Sequence, residues 1–445
     1  MDETAARPRD TTYFVLALLL VAIYFVLRTA AVPDFIVAGW TIAACVAALV
    51  SPLAGLTVLA AIGPFTEALS ADGRVTAGPF LLAALGASLL IQLVLRPRPS
   101  RLSLPVVAAL GLFAVTLLGV LESTLAFGVG RGLDAFEAWV PEVGGGLTAL
   151  LVAAWLAWRG ELRPLAIAIG AITVAALVSL ADFFGHGAVQ HSAFGWLVHE
   201  GVAGDRLHGV IDAPNPAAAL FLAALAVTLS AAVFGRPTRM RLVAGLATAA
   251  LGVAVVATYS RSALLAVGVV VVLLGWQWRR WLGVALTIAG AAVALVLASG
   301  TSLIRQVPQV ADSARIDAWR ASVAMWLDAP LSGHGFRSFE WLHASYGSGL
   351  DAPHNEWLRL FAEEGALAGL VGLLFVTAVL ATLLRARAWL ETAIGAAAAA
   401  LFVMACFNNP FWYAQVVGPA FLILGTGLGV AIARAARPAP APSAG

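Results

Sequence analysis

Long apolar blocks, separated by short turn-rich or arginine-rich breaks, dominate this sequence. Each block runs for about 17–25 residues, the length at which a helix crosses a hydrocarbon layer of about 30 Å. Backbone exposed to lipid must satisfy its own hydrogen bonds, so each block is expected to be a helix. We therefore predict an all-α fold, a polytopic transmembrane helical bundle of about 12–14 spans. A mean hydropathy of +0.93 excludes a water-soluble protein.

The connections between most blocks are only a few residues long, which predicts a single transmembrane domain over residues 1–436 and a disordered tail over 437–445. The predicted spans are 12–30, 35–50, 52–69, 77–95, 103–121, 144–158, 165–182, 214–234, 242–259, 262–277, 282–299, 363–384, 390–407 and 411–433. Two long polar loops interrupt them, at about 183–213 and 300–362. The later loop contains a helical pattern over Ser313–Leu327. Its stripe of Ile316, Trp319, Val323 and Trp326 predicts packing onto the bundle.

The distribution of arginine predicts the orientation of the chain, since its 26 basic residues include no lysine. With the N-terminus inside, the inner segments hold sixteen arginines and five acids, and the outer segments hold ten arginines and nineteen acids. Short cytoplasmic loops carry an excess of positive charge, so both termini are predicted to lie in the cytoplasm. The two long loops then face outward.

All seven histidines fall in these two loops, namely His186, His191, His199, His208, His334, His343 and His354. Histidine exchanges protons near neutral pH, so the outer side is where proton chemistry is expected. Loops also tolerate histidine better than lipid does, which is explanation enough for most of the seven. Their wide, irregular spacing does not match a metal site, and neither cysteine can join them, so we predict no bound metal.

His354 differs from the other histidines in its surroundings. It follows Pro353, precedes Asn355 and leads directly into the span at 363–384. Asn355 could orient the imidazole or a substrate hydroxyl, and Glu363 or Glu364 lies near the start of the predicted helix, where a carboxylate is favoured. His354 is therefore the candidate general base.

Three arginines mark the outer side, which is otherwise acidic. Arg206 precedes a turn that ends at Asn215, Arg261 lies at the tip of a hairpin, and Arg315 begins the loop helix. A single arginine at this depth could merely extend to lipid headgroups. Three arginines around a candidate base indicate a phosphate-binding site, because guanidinium groups bind phosphate oxygens bidentately. The predicted ligand is a lipid that carries a pyrophosphate.

Four short motifs follow one another over about residues 200–375. They are Arg-x-x-Gly-x(5)-Asn (Arg206, Gly209, Asn215), Ser-Arg-Ser-Ala (260–263), Arg-x-x-x-Trp with a following Pro-x-x-Gly-x-Gly (Arg315, Trp319, Pro330, Gly333, Gly335), and His-Asn-x-x-Leu-x(4)-Glu-x-Gly (His354, Asn355, Leu358, Glu363, Gly365). In their order and spacing the chain resembles the O-antigen ligase and O-antigen polymerase superfamily. Ser262 departs from the pattern, since many members have glycine there.

The resemblance implies a membrane glycosyltransferase of the GT-C-like class that is inverting and needs neither a metal nor another cofactor. Its donor would be a glycan on undecaprenyl pyrophosphate, and its acceptor a lipid A core sugar for a ligase or another repeat unit for a polymerase. It would lie in the bacterial inner membrane with its active site facing the periplasm.

The same resemblance implies roles for individual residues. His354 would activate the acceptor hydroxyl, and Arg206 and Arg315 would hold the pyrophosphate leaving group. The remaining candidates are Arg261 as a lesser phosphate ligand and Asn215, Asn355 and Glu363 as supporting residues.

Two other functions remain open at this point. An arginine-lined outer vestibule would suit an anion transporter, although the span centres are almost free of the charged residues that transporters carry. A lipid flippase or assembly scaffold would need neither His354 nor the arginines. No nucleic-acid partner is expected.

Overall fold

The fold was analysed in a computed structural model, and every regular element in its described residues is helical. These residues are 8–29, 34–65, 77–95, 103–190, 192, 198, 206–211, 213–285, 287–288, 312–386 and 388–436. The main helices are α1 (Pro8–Thr29), α2 (Asp34–Val50), α3 (Pro52–Ile62), α4 (Ala77–Leu95), α5 (Leu104–Phe127), α6 (Val129–Trp139), α7 (Gly145–Trp158), α8 (Arg163–Phe184), α9 (Pro214–Phe234), α10 (Thr238–Ala257), α11 (Arg261–Trp278), α12 (Asp312–Asp328), α13 (Ser338–Leu342), α14 (Glu356–Arg385), α15 (Trp389–Ala405) and α16 (Ala414–Ala435). The predicted all-α fold is confirmed.

Nine helical stretches in the described part of the chain are long and apolar enough to cross a membrane, and four shorter apolar helices accompany them. Every predicted span corresponds to one of these helices except the span at 282–299, most of which lies outside the described residues. The chain is thus a multi-pass membrane protein, as its apolar blocks predict.

Helix α9 lies at the centre of the bundle, because its side chains are apolar on every side. Residues from Pro216 to Thr228 are all buried, and α9 packs against α8, α10, α11, α15 and α16. Helices α1, α10 and α11 instead expose many apolar side chains. A helix that is hydrophobic all round is buried in protein or lipid, and α9 is the one that other helices enclose. The N-terminus of α9 is therefore held in place by the helices that enclose it.

Helix α12 confirms the helix that is predicted over 313–327, but only part of the predicted stripe faces the bundle: Trp319 is half-buried and Trp326 packs on Phe361 of α14, with ring centres 5.5 Å apart. Ala318, Ala321 and Met325 are buried, whereas Ile316 and Val323 are 44% and 39% exposed. The small side chains of α12 face α14 and let the two helices pack closely together. Close packing between the helices, more than the size of the apolar side chains, therefore determines which face of α12 is buried.

The predicted span at 363–384 begins one to two turns earlier than its hydropathy suggests. Helix α14 starts at Glu356, and the side-chain oxygen of Asn355 caps it by accepting hydrogen bonds from the backbone N–H groups of Trp357 and Leu358 at 3.1 and 3.0 Å. The backbone is non-helical at Gly365, where φ is 75°.

The loop that follows α12 packs its backbone against this break in α14. The N–H of Gly335 donates to the carbonyl of Glu363 at 2.6 Å, and the N–H of Ala366 donates to the carbonyl of Pro330 at 2.8 Å. A Cβ at Gly333 would lie 2.3 Å from the carbonyl oxygen of Glu363, and a Cβ at Gly365 would lie 2.2 Å from that of Leu331. Both positions need glycine for its positive φ and for this close approach. The Pro-x-x-Gly-x-Gly and Glu-x-Gly motifs are therefore two halves of one contact.

Candidate active site

The predicted residues converge at the end of the bundle where α10 ends and α9, α11 and α14 begin. The segment that carries Arg206 is fixed there by two hydrogen bonds: Leu207 N–H donates to the carbonyl of Ala257 at 2.9 Å, and Val210 N–H donates to Ser179 Oγ at 3.0 Å. Gly209, with φ of 60°, lets this turn pass against Ser179. The Arg-x-x-Gly motif thus places Arg206 beside the end of α10.

Arg206 is half-buried and points its guanidinium at neutral partners. Its Nε donates to the carbonyl of Thr258 at 2.9 Å, and a terminal nitrogen donates to Asn215 Oδ1 at 3.2 Å. Burial lowers the pKa of Arg206, and the nearby Arg315 and Arg261 guanidiniums lower it further. Arg315 and Arg261 are therefore close enough to Arg206 for their charges to act on it. We call these three residues the arginine cluster.

Amide and hydroxyl groups connect these arginine-bearing segments. Asn215 Nδ2 donates to Asn408 Oδ1 at 2.8 Å, and Asn408 Nδ2 donates to Ser262 Oγ at 2.6 Å. Ser262 Oγ lies 3.1 Å from the Oγ of Ser260, which caps α11. Ser262, where the sequence departs from the superfamily pattern, is thus an acceptor in this network. No motif in the sequence pointed to Asn408.

His354 lies at the entry to α14 in a left-handed backbone conformation, with φ of 51°. Its side chain is half-buried. Burial lowers the pKa of His354 below its ordinary value of 6.5, and Arg315 lowers it further, while Asp351 acts in the opposite direction. Both causes favour the neutral imidazole, the form that can accept a proton.

Of the predicted supporting residues, Asn215 has a resolved hydrogen bond to one of the three arginines, Arg206. Both amide atoms of Asn355 serve the backbone, since Oδ1 caps α14 and Nδ2 donates to the carbonyl of Cys406 at 2.9 Å. Asn355 therefore fixes the chain next to His354. Glu363 is 1% exposed and accepts a hydrogen bond from the N–H of Phe339 at 3.2 Å. It belongs to a separate group of charges.

That group, which we call the buried charge cluster, centres on Arg359. Its guanidinium is 2.8 Å from Glu356, 3.4 Å from Glu142 and 3.8 Å from Glu363, and all four side chains are at most 11% exposed. Glu356, Arg359 and Glu363 recur on one face of α14, a signal that the sequence contains. Glu142 comes from the π-helical turn Val140–Gly144 and carries no such signal.

The turn between α15 and α16 joins the arginine cluster to the buried charge cluster. Asn408 bonds to Asn215 and Ser262, and the N–H of Phe411 donates to Glu356 Oε1 at 3.2 Å. The next residue, Trp412, has its ring 5.4 Å from the Arg359 guanidinium. The two clusters are therefore connected through one short turn of the chain.

The other described histidines have local roles where contacts are resolved. A ring nitrogen of His334 lies 3.0 Å from the carbonyl of Met325, and one of His343 lies 2.9 Å from the carbonyl of Ser348. His191 and His199 fall outside the described residues. Within the described ranges, no group of three His, Cys, Asp or Glu side chains is placed to hold a metal ion. Metal independence stays a prediction.

Comparison with known proteins identifies the region that carries most of this site. Residues 246–372 match the model of the family Wzy_C, described as O-antigen ligase. This match supports the chain's membership of the O-antigen ligase and polymerase superfamily. Its O-antigen ligase domain includes Arg261, Arg315 and His354, whereas Arg206 precedes the matched region and Asn408 follows it. No curated protein matches the chain. The match supports a membrane glycosyltransferase of the ligase or polymerase type.

Proposed function

We propose that this O-antigen ligase family protein transfers a glycan from undecaprenyl pyrophosphate to a sugar hydroxyl of lipid A core, without a metal and with inversion at the anomeric carbon. The reaction would take place at the periplasmic face of the bacterial inner membrane. The single observation that carries the proposal is the position of His354, half-buried and close enough to Arg315 for that guanidinium to lower its pKa, in a site with two further arginines. A polymerase that adds the glycan to another repeat unit would use the same residues.

The proposed step is a single displacement. The acceptor oxygen attacks the anomeric carbon of the donor as its proton passes to His354. The bond between that carbon and the pyrophosphate oxygen breaks, and the pyrophosphate leaves with its negative charge. His354 then returns the proton to solvent. One displacement inverts the configuration, and His354 supplies general-base catalysis.

The arginine cluster supports the leaving-group half of this step. The hydrogen-bond partners of Arg206 in the described residues are a carbonyl and an amide, which orient the guanidinium without cancelling its charge. A group held in this way stabilises negative charge with little reorganisation. A pyrophosphate stabilised by arginines is a good leaving group and does not need a general acid.

The proposal is tested with the purified full-length protein in EDTA, supplied with undecaprenyl-pyrophosphate-linked glycan. A ligase should give one size-shifted product that requires lipid A core, whereas a polymerase should give a ladder from donor alone. Absence of any glycan turnover would overturn the proposal. Anion uptake into proteoliposomes without turnover would favour the transporter instead.

The pH dependence of transfer provides a more specific prediction. The wild-type kcat/KM should fall only as the pH drops through a value below 6.5, because His354 must be neutral to accept a proton. In an Arg315→Gln variant the imidazolium loses a repelling neighbour, so the pKa of His354 rises and the acid limb moves to higher pH. The profile of kcat/KM from pH 5 to 8 measures this shift. Arg320→Gln, on the same helix with a 77% exposed side chain, is the matched control. An unmoved acid limb in Arg315→Gln would contradict the assignment.

A further inference from the structure

An open cleft with a volume of about 450 Å³ lies beside the buried charge cluster. Helix α6, helix α13 and the turn that contains Trp412 form its walls. This volume is in the range of sites that bind small molecules. None of the residues assigned to catalysis or to the pyrophosphate lines it.

The side chains of the cleft carry more acids than bases. Asp134, Glu137, Glu142 and Glu340 line it together with Arg131 and Arg337. Three of these acids are matched by neighbouring guanidiniums: Arg131 pairs with Asp134, Arg337 with Glu340, and Arg359 with Glu142. Glu137 makes no ion pair within the described residues. Glu137 therefore leaves the cleft with a small excess of negative charge, opposite in sign to the charge of the arginine cluster.

Two indole rings complete the wall, and arginines hold both in place. The Arg131 guanidinium lies 4.9 Å from the ring centre of Trp341, and the Arg359 guanidinium lies 5.4 Å from that of Trp412. Indole rings offer a flat apolar surface to the C–H face of a pyranose ring. Carboxylates accept hydrogen bonds from sugar hydroxyls, and guanidiniums donate them. This combination suits a carbohydrate better than a lipid chain or an anion.

The cleft and His354 are attached to the same first turn of α14. Trp412 packs on Arg359, its neighbour Phe411 bonds to Glu356, and Glu356 is two residues after His354. The acceptor has to approach His354, since His354 takes its proton. The cleft is thus connected to the base through the first turn of α14.

We propose that this cleft binds the acceptor glycan and selects glycans with neutral or amino sugars over those with carboxylate or phosphate groups. The identity of the ligand as an acceptor rests on the proposed function. The selectivity follows from the charge of the cleft, because like charges brought together in a partly enclosed site repel.

Three trisaccharides of equal length test the proposal by calorimetry on the full-length protein in nanodiscs without donor. They are triglucosamine, which is cationic, chitotriose, which is neutral, and trigalacturonate, which is anionic. We expect trigalacturonate to bind at least about tenfold more weakly than the other two. Trp341→Ala should weaken chitotriose binding by about tenfold. Trp278→Ala, on exposed α11 surface away from the cleft, is the control and should bind like the wild type.

The exposed Glu137 tests the charge selectivity without disturbing the fold. Glu137→Gln should reduce the preference for triglucosamine over trigalacturonate by about two- to fivefold and leave chitotriose binding unchanged. Equal binding of all three sugars, or no binding of any, would overturn the proposal.

A transfer assay on the same preparations separates this inference from the proposed function. Trp341→Ala should raise the acceptor KM with little effect on donor binding. If transfer continues in Trp341→Ala with an unchanged acceptor KM, the cleft is not the acceptor site and the transferase proposal stands. If the sugars bind as expected but no glycan is transferred by the wild type, the transferase proposal fails and the cleft remains a sugar site with another purpose.

Discussion

The His354→Asn variant is expected to transfer glycan about 10²- to 10⁴-fold more slowly than the wild type, because it loses the general base. Asparagine tolerates the left-handed backbone at this position, where φ is 51°, but its amide cannot accept a proton. The fold and the arginine cluster should therefore persist. Single-turnover transfer and donor affinity, measured on the same preparation, check both halves of the prediction.

His186→Asn is the matched control for this experiment. His186 is another loop histidine with positive φ, 52°, and its side chain is exposed. Its replacement should leave transfer and donor binding unchanged. Full activity in His354→Asn would remove His354 from the reaction, and loss of donor affinity would assign it to binding instead.

Replacing Arg359 with methionine should cost about 3–5 kcal/mol of stability, the usual effect of removing one partner from a buried ion pair. Methionine fills much of the space but leaves Glu142, Glu356 and Glu363 close together without a cation. The start of α14 should then detach from the π-helical turn at Val140–Gly144. Unfolding in a denaturant titration of the protein in mixed micelles measures the loss.

Arg320→Met provides the comparison, since Arg320 also pairs with an acid three residues away on its helix, Asp317, but its side chain is 77% exposed. An exposed pair of this kind contributes at most about 1 kcal/mol. Equal stability of the Arg359→Met protein and the wild type would show that the buried charge cluster does not hold α14 in place.

The helices could be predicted from the sequence because lipid imposes a length and a polarity on each span. Hydropathy alone placed the start of α14 too late, near Glu363. The first two turns of α14 include the charged residues Glu356, Arg359 and Glu363, yet they form helix because Arg359 pairs with both acids within the protein. The face of α12 was also misjudged, since the sequence pattern shows apolar residues but not how closely a neighbouring helix approaches.

The arginines and His354 could be found from the sequence because their motifs are local. The groups that connect them could not. Asn408 bonds to Asn215 across 193 residues, and Glu142 reaches Arg359 across 217. Neither partner has a spacing that points to the other, and only the packing of α9, α14 and the turn after α15 brings them together. The candidate residues were therefore visible one by one, while the residues that connect them could be found only from the fold.

The backbone contact between the Gly333 loop and the break at Gly365 has a consequence for chimaera design. Peptide groups, not side chains, set the spacing there, so most substitutions around the contact leave it intact while a one-residue insertion shifts it. Arg315 and His354 flank that contact on a single stretch of chain. The segment from α12 to Gly365 is consequently the natural piece to exchange between relatives. A crossover point inside this segment would separate two pieces of backbone whose spacing depends on each other.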